Sequence, residues 1–220
     1  MPRNPELATI VKPGSKVSLR SLDPAAKGPF KDQHDPKSRA ELARDLARLG
    51  ELQQRLYAES KQAILVVLQA TDTAGKDGVL KSVVGPLDSR GVHVWSFKAP
   101  AGEEAAHDYL WRIHARTPRL GEMAFFNRSH YEDVLVVRVL GLVPEKTWRP
   151  RYEHLNAFEK MLTDSGTRIV KLFLHISKDE QKRRLEARLA EPDKRWKFDP
   201  RDLDMRKKWD AFEGAYEEML

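Results

Sequence analysis

The chain has 220 residues, 40% hydrophobic and 33% charged, with 39 Lys and Arg against 33 Asp and Glu for a formal net charge of +6. That length supports one substantial α/β domain and not two comfortable ones, and the basic balance suits anionic partners without choosing among nucleic acid, nucleotides and other polyanions. The lack of cysteine excludes disulfides, thiolate metal sites and cysteine nucleophiles, and the opening MPRNPELATIVKPG has no apolar signal segment, so a cytoplasmic protein with no membrane partner is expected.

Residues 1–36 carry Pro2, Pro5, Pro13, Pro24, Pro29 and Pro36 with no sustained period. They predict an irregular arm lying on the domain surface or on a partner subunit. Leu42, Leu46, Leu49, Leu52, Leu56 and Tyr57 then recur at three and four, which predicts an amphipathic helix over 38–60 packed against a sheet. Residues 64–69 have the length and β-branched content of a strand buried on both faces. A polar loop bearing glycine follows, and Val79, Leu80, Val83 and Val84 continue at helical spacing toward Gly85-Pro86. Further strands are predicted at 91–97, 123–126 and 169–175. Helices are predicted at 103–114, from about 132 through Val139, at 151–162, at 178–189 and from about 200 to 220. Strands alternating with helices argue for a parallel sheet covered on both faces.

Ala70, Gly75, Lys76 and Asp77 fall at the spacing of the phosphate loop GxxxxGK[ST], with Ala for the first Gly and Asp for the terminal hydroxyl residue. The chemistry survives in part. Gly75 and Gly78 let the backbone approach a ligand, the N–H groups opening the helix carry partial positive charge, and Lys76 adds a full one. Thr73, Ala74 and residues 75–78 thus form a candidate anion cradle, although an ordinary strand-to-helix turn would read similarly. Asp72 and Asp77 would repel a phosphate unless a cation lay between, so the loop implies a metal.

A second polar segment, 127–133, leaves a strand at its carboxyl end, where open α/β sheets place ligands. Arg128 could grip phosphate oxygens with its planar fork or pair with Glu132 or Asp133. Glu132 and Asp133 could serve Mg²⁺ or simply favour the positive end of a helix. Asn127 stands where such proteins often carry a Walker B Asp, and its neutral amide is a weaker metal ligand.

Farther on, Arg184 and Arg188 lie four apart, able to present two guanidiniums to an anion or to belong to a solvated face. Lys194, Arg195 and Lys197 surround Trp196 in a stretch suited to a lid over phosphates. Stacking on single-stranded nucleic acid is the weaker reading, because no nucleic-acid motif accompanies it. The histidines show no metal-ligand spacing and read as packing or surface residues. The loop, the 127–133 segment and the basic stretch would converge at one sheet edge, a set that describes phosphoryl transfer: an anion cradle, a bridging cation and mobile positive charge.

LVVLQATDTAGKDG, FNRSHYEDVLVVRV, LHISKDEQKRRLEARL and EPDKRWKF, with DYLWRIH at 108–114, resemble the family-2 polyphosphate kinases from about Leu49 to the C-terminus. The GKDG loop and Asn127 look like the class III subgroup, which phosphorylates both AMP and ADP. The resemblance implies a P-loop kinase-like three-layer α/β/α sandwich with a parallel sheet and a helical lid. Residues 37–220 would be that single domain, with the lid at about 178–200 and the family's C-terminal strand and helix absent.

It further implies that Asp72 and Lys76 are the Walker A-like acid and lysine and Arg128 the phosphate clamp. Glu132 and Asp133 would be the acidic pair near metal and nucleotide, with Asn127 beside them, and Asp72 and Asp133 would serve the metal. Arg184, Arg188, Lys194 and Arg195 would contact polyphosphate. Mg²⁺ is the implied cofactor. Inorganic polyphosphate and adenine nucleotides, with guanine nucleotides as a second class, are the implied partners, and a homodimer or homotetramer the implied assembly. Thr73 departs from the family's usual Ala. An ATP-dependent nucleoside monophosphate kinase and a non-catalytic polyanion-binding protein are the competing expectations.

Overall fold

The computed structural model describes residues 8–32 and 34–220, the side chains of Lys194 and Lys197 apart. Pro2 and Pro5 of the expected arm, and the side chain of the lid candidate Lys194, therefore lie outside the described residues. The helices are α1 (Pro36–Glu59), α2 (Lys76–Val84), α3 (Glu103–Ala106), α4 (Trp111–His114), α5 (Glu132–Val139), α6 (Glu145–Trp148), α7 (Arg151–Asp164), α8 (Lys178–Ala190), α9 (Arg201–Lys207) and α10 (Trp209–Met219). The strands are β1 (Ala63–Ala70), β2 (Val92–Ser96), β3 (Met123–Asn127) and β4 (Thr167–Leu174).

The chain divides into two compact units, one running to Leu49 and resuming over His175–Leu220, the other Gly50–Leu174. The second unit holds the whole sheet, four parallel strands in the order β2-β3-β1-β4. The central strand β1 is buried on both faces, as its continuous apolar run requires. Its neighbours Ala124, Phe125 and Phe126 are buried too, and Val134, Leu135, Leu155 and Phe158 from the helices close the core. The chain moves from β1 outward to β2, then back through β3 and across β1 to β4. With right-handed crossovers that reversal puts α2 on one face and α5 and α7 on the other, leaving a crevice between the carboxyl ends of β1 and β3.

Four expectations change. The apolar stripe of α1 buries only in part: Leu46, Leu49 and Leu56 are half-buried, Leu42, Leu52 and Tyr57 stay 44–48% exposed, and the helix's fully buried residue is Gln53. Gln53 and Tyr57 instead lie over Gly91, where an added Cβ would stand 2.7 Å from the Tyr57 ring. The cover over the edge strand β4 is also incomplete, with Val170 and Leu172 each 44% exposed.

Third, the helix expected over 103–114 is two short ones. His107 turns extended after α3, and the Asp108 carboxylate accepts from Leu110 N at 2.9 Å and Trp111 N at 3.1 Å, capping a new helix. The terminal helix is likewise interrupted, at Lys208, between α9 and α10.

In the other unit, Leu19 of the proline-rich arm is buried and its N–H meets Glu217 at 2.6 Å, while Arg20 pairs with Glu213 at 2.7 Å and Asp210 at 3.0 Å. The arm is thus tied to α10. α8 begins in a serine cap, Ser177 Oγ accepting from Glu180 N at 3.1 Å. Among the described residues no helix is long and apolar enough to cross a membrane.

Candidate active site

Five residues, 71–75, separate β1 from α2, and they reverse the chain with Thr73 at φ +67° and Gly75 at φ +103°. Gly75 precedes α2 with no side-chain cap, and the backbone donors that open a helix suit an anion. A left-handed conformation suits glycine but strains a β-branched residue by about 1–2 kcal/mol. Thr73→Gly should therefore stabilise the chain by up to about 1 kcal/mol after glycine's own entropy cost, a rise of about 1–3 °C in Tm. An unchanged or lower Tm by calorimetry would show that the turn stores no strain. Lys76 is buried beneath this loop, its Nζ donating to Ala70 O at 3.1 Å and Thr71 O at 3.3 Å. Burial, then Arg128, push its pKa below the usual lysine value, against the pull of Asp72, Glu132 and Asp77.

The register brings the second polar segment to the same edge: Leu68 of β1 lies level with Asn127 of β3, and Arg128 N donates to Leu68 O at 3.1 Å. Arg128 sits at φ +63°. Its guanidinium spans two carboxylates, donating to Asp72 Oδ1 at 2.7 Å and to Glu132 Oε2 at 3.4 Å. Gln69, with its amide turned to suit both neighbours, donates to Glu132 Oε1 at 3.0 Å and accepts from Ser129 Oγ at 2.9 Å. Burial raises the Glu132 pKa despite Arg128 and Lys76. Asn127 Nδ2 donates to Asp77 Oδ1 at 2.9 Å, while Asn127 Oδ1 and Thr71 Oγ1 are buried without a partner. Two cations, Lys76 and Arg128, thus face Asp72, Asp77 and Glu132.

Asp133 does not join them. Its carboxylate and carbonyl both accept from Arg151 Nη1 at 3.1 Å, and Arg151 in turn lies 4.5 Å from the Tyr109 ring centroid. Burial raises the Asp133 pKa against Arg151. The lid candidates belong to the other unit, where Arg184 pairs with Glu180 at 2.6 Å, Arg188 with Asp202 at 3.6 Å, and Arg195 Nε donates to Leu189 O at 3.0 Å.

A buried network behind Arg128 has no counterpart in the expectations. Glu159 of α7 accepts from His130 Nε2 at 3.1 Å, Tyr131 Oη at 2.6 Å and Lys171 Nζ at 2.8 Å. His130 read as a packing histidine because nothing near it in sequence announces a carboxylate that only the docking of α7 brings. Although burial opposes it, the hydrogen bonds from His130, Lys171 and Tyr131 hold the Glu159 pKa down to about 2. A carboxylate with a lowered folded pKa stabilises above its unfolded pKa and loses that contribution as pH falls toward the folded value. Urea unfolding midpoints should thus fall between about pH 4.5 and pH 2 by the equivalent of about 2–3 kcal/mol from this group, and Glu159→Gln should flatten that limb. An equally steep limb in the variant would assign the acid sensitivity elsewhere.

The sequence model of the family described as Polyphosphate kinase 2 (PPK2) matches residues 32–220. The chain belongs to the polyphosphate kinase 2 family. Over 207 residues it is 50% identical to the AMP/ADP-polyphosphate phosphotransferase of Meiothermus ruber, covering 94% of this chain and 77% of that one. The ADP-polyphosphate phosphotransferase of Rhodopseudomonas palustris is 42% identical, with 94% and 75% covered. Among solved structures, Polyphosphate Kinase 2 from Arthrobacter aurescens TC1 superposes with a TM-score of 0.87 at 46% identity, covering 94% of this chain and 74% of that one. The polyphosphate kinase 2 match takes in the phosphate loop, the 127–133 segment and the basic helix α8 together.

Proposed function

We propose that the chain transfers a phosphoryl group from inorganic polyphosphate to AMP and to ADP, giving ADP and ATP reversibly. The observation that carries this reading is the pairing of Lys76 and Arg128 at one sheet edge, in a chain half identical to an enzyme named for both acceptors. The acceptor's phosphate oxygen is already ionised at neutral pH, so no strong general base is needed. A new P–O bond forms as the terminal bridging P–O bond of the polyphosphate breaks, and the shortened chain leaves as the anion. Residues 73–78 and Lys76 hold phosphate oxygens, and Arg128 exchanges Asp72 and Glu132 for them. Asn127, Arg128 and Glu132 lie on the nucleotide side, with Asp133 holding Arg151 beside them. Arg184, Arg188, Lys194 and Arg195 are proposed to engage polyphosphate.

Among the described residues no group of three or more His, Asp or Glu is placed to hold a metal unaided. The donors at the loop are all oxygens: the Asp72 and Asp77 carboxylates and the unpartnered Asn127 Oδ1 and Thr71 Oγ1. That set fits Mg²⁺, which takes one or two carboxylates and keeps its waters and substrate phosphates. Asp72 and Asp77 would hold it, with Asn127 and Thr71 ordering its waters. When bound it supplies positive charge between donor and acceptor phosphates. The chain is proposed to work in the cytoplasm as a homodimer or homotetramer.

Incubation with Mg²⁺, long-chain polyphosphate and AMP, without ATP, should yield ADP and then ATP by chromatography, with GMP and GDP run in parallel to read base preference. Turnover only when ATP replaces polyphosphate would overturn the donor assignment.

A further inference from the structure

We propose that Glu159 is a positioning residue for this transfer, fixing the turn 129–131 and through it holding Arg128 and Glu132 at the phosphate loop. The inference rests on the reaction proposed above. Arg128 occupies a left-handed conformation that a non-glycine residue keeps only when its surroundings hold it there. The restraint lies in the next three residues. Ser129 and His130 are fully buried and Tyr131 nearly so. Ser129 is held by Gln69, and Glu132 N and Asp133 N close the turn onto Ser129 O and His130 O at 3.1 and 3.2 Å.

His130 and Tyr131 both donate to the same Glu159 oxygen, Oε1, while Lys171 donates to Oε2 and, at 3.0 Å, to the Tyr131 hydroxyl. Two consecutive side chains pinned to one carboxylate leave the turn no free rotation. Glu159 and Lys171 come from α7 and β4, so these elements set the direction of Arg128 although Glu159 acts only through the residues it binds. Displacement of a phosphate-gripping group by about 1 Å can cost up to about a hundredfold in rate.

The test compares Glu159→Gln, which keeps the volume and removes the charge, with Leu162→Ala, a buried change on the same helix. For Glu159→Gln, kcat with AMP at saturating polyphosphate should fall about 10- to 100-fold while KM changes less than about threefold. Leu162→Ala should lose at least as much thermal stability but keep kcat within about twofold below its Tm. Equal kcat losses in the two variants, or none in Glu159→Gln, would overturn the proposal.

Lys171→Met, at a half-exposed side chain of the same ring, supplies a variant that folds if Glu159→Gln does not. Its kcat should fall about 3- to 10-fold, and an unchanged kcat would count against the proposal. The Arg128 Nε–H resonance, assigned by its loss in Arg128→Lys, reports positioning without turnover. It should be sharp in the wild type and in Leu162→Ala and broadened in Glu159→Gln. A wild type with that sharp signal but no transfer would sink the reaction reading alone; a signal unaltered in Glu159→Gln would sink the positioning role alone.

Discussion

Lys76→Ala is expected to lower kcat for polyphosphate-dependent phosphorylation of AMP by about 10³-fold while the folded chain survives. Its ammonium is the charge placed beneath the loop, and in the absence of phosphate it is satisfied by Ala70 O and Thr71 O. Those acceptors are the last carbonyl of β1 and the first of the loop, so a bound phosphate can draw the ammonium away without breaking a side-chain pair. Removing one preorganised electrostatic donor costs about 3–4 kcal/mol of transition-state stabilisation. Burial depresses the Lys76 pKa against the pull of Asp72, Glu132 and Asp77, so the relief of desolvation in the variant offsets part of the lost attraction, and Tm should move by only a few degrees. Near-normal turnover in the variant would remove the phosphate-loop assignment, whereas loss of activity with loss of the melting transition would mean that Lys76 is structural.

Arg128→Lys should cost about 10²-fold in kcat/KM, and Arg128→Ala about 10³-fold. A lysine restores charge but not the fork that reaches Asp72 Oδ1 and Glu132 Oε2 at once. The alanine variant also leaves the Glu132 carboxylate buried without its nearest cation, and burial already raises that pKa. With the folded pKa above the unfolded one, the uncompensated carboxylate destabilises at high pH, and stability should recover as pH falls through the folded pKa. At neutral pH the loss should be about 1–2 kcal/mol, discounted because Arg128 is partly exposed. Arg128→Ala combined with Glu132→Gln should regain the stability without regaining transfer, read by urea unfolding and by chromatography of ADP. Recovery of both together would make Arg128 a purely structural partner.

Where periodicity was strong and the segment local, the elements matched closely. β1 runs one residue past its predicted span at each end, because a β-branched run between a polar turn and a loop has few alternatives. The helix over 103–114 failed for a local reason of another kind: Asp108 caps a new helix as readily as it sits within one. The stripe on α1 shows the limit of amphipathic pattern, which says that one side of a helix is apolar and not what will cover it. Leu42 and Leu52 remain exposed, while Tyr57 of the stripe and Gln53 beside it meet Gly91.

The site divides along the same line. Lys76, Gly75 and Asp72 could be named as candidates because a phosphate loop is a contiguous arrangement of backbone donors and one lysine, encoded within eight residues. Arg128 was legible as a candidate at a strand end. Its two roles in sequence, phosphate clamp or partner of a neighbouring acid, meet in one geometry: the guanidinium rests on Asp72 and Glu132 and faces the loop.

Which acid would pair with Arg128 was not legible. Glu132 and Asp133 are adjacent, yet a helix turns successive side chains about 100° apart, and only the packing of α7 decides that Arg151 takes Asp133 and leaves Glu132 to Arg128. The same docking brings Glu159 to His130 and Tyr131 across 28 or more residues. The sequence by itself thus determined the strand, the phosphate loop and the kind of chemistry, because these depend on neighbours in the chain. The tertiary structure alone decided the partners of each buried charge, because low-dielectric pairing is set by which elements exclude water together.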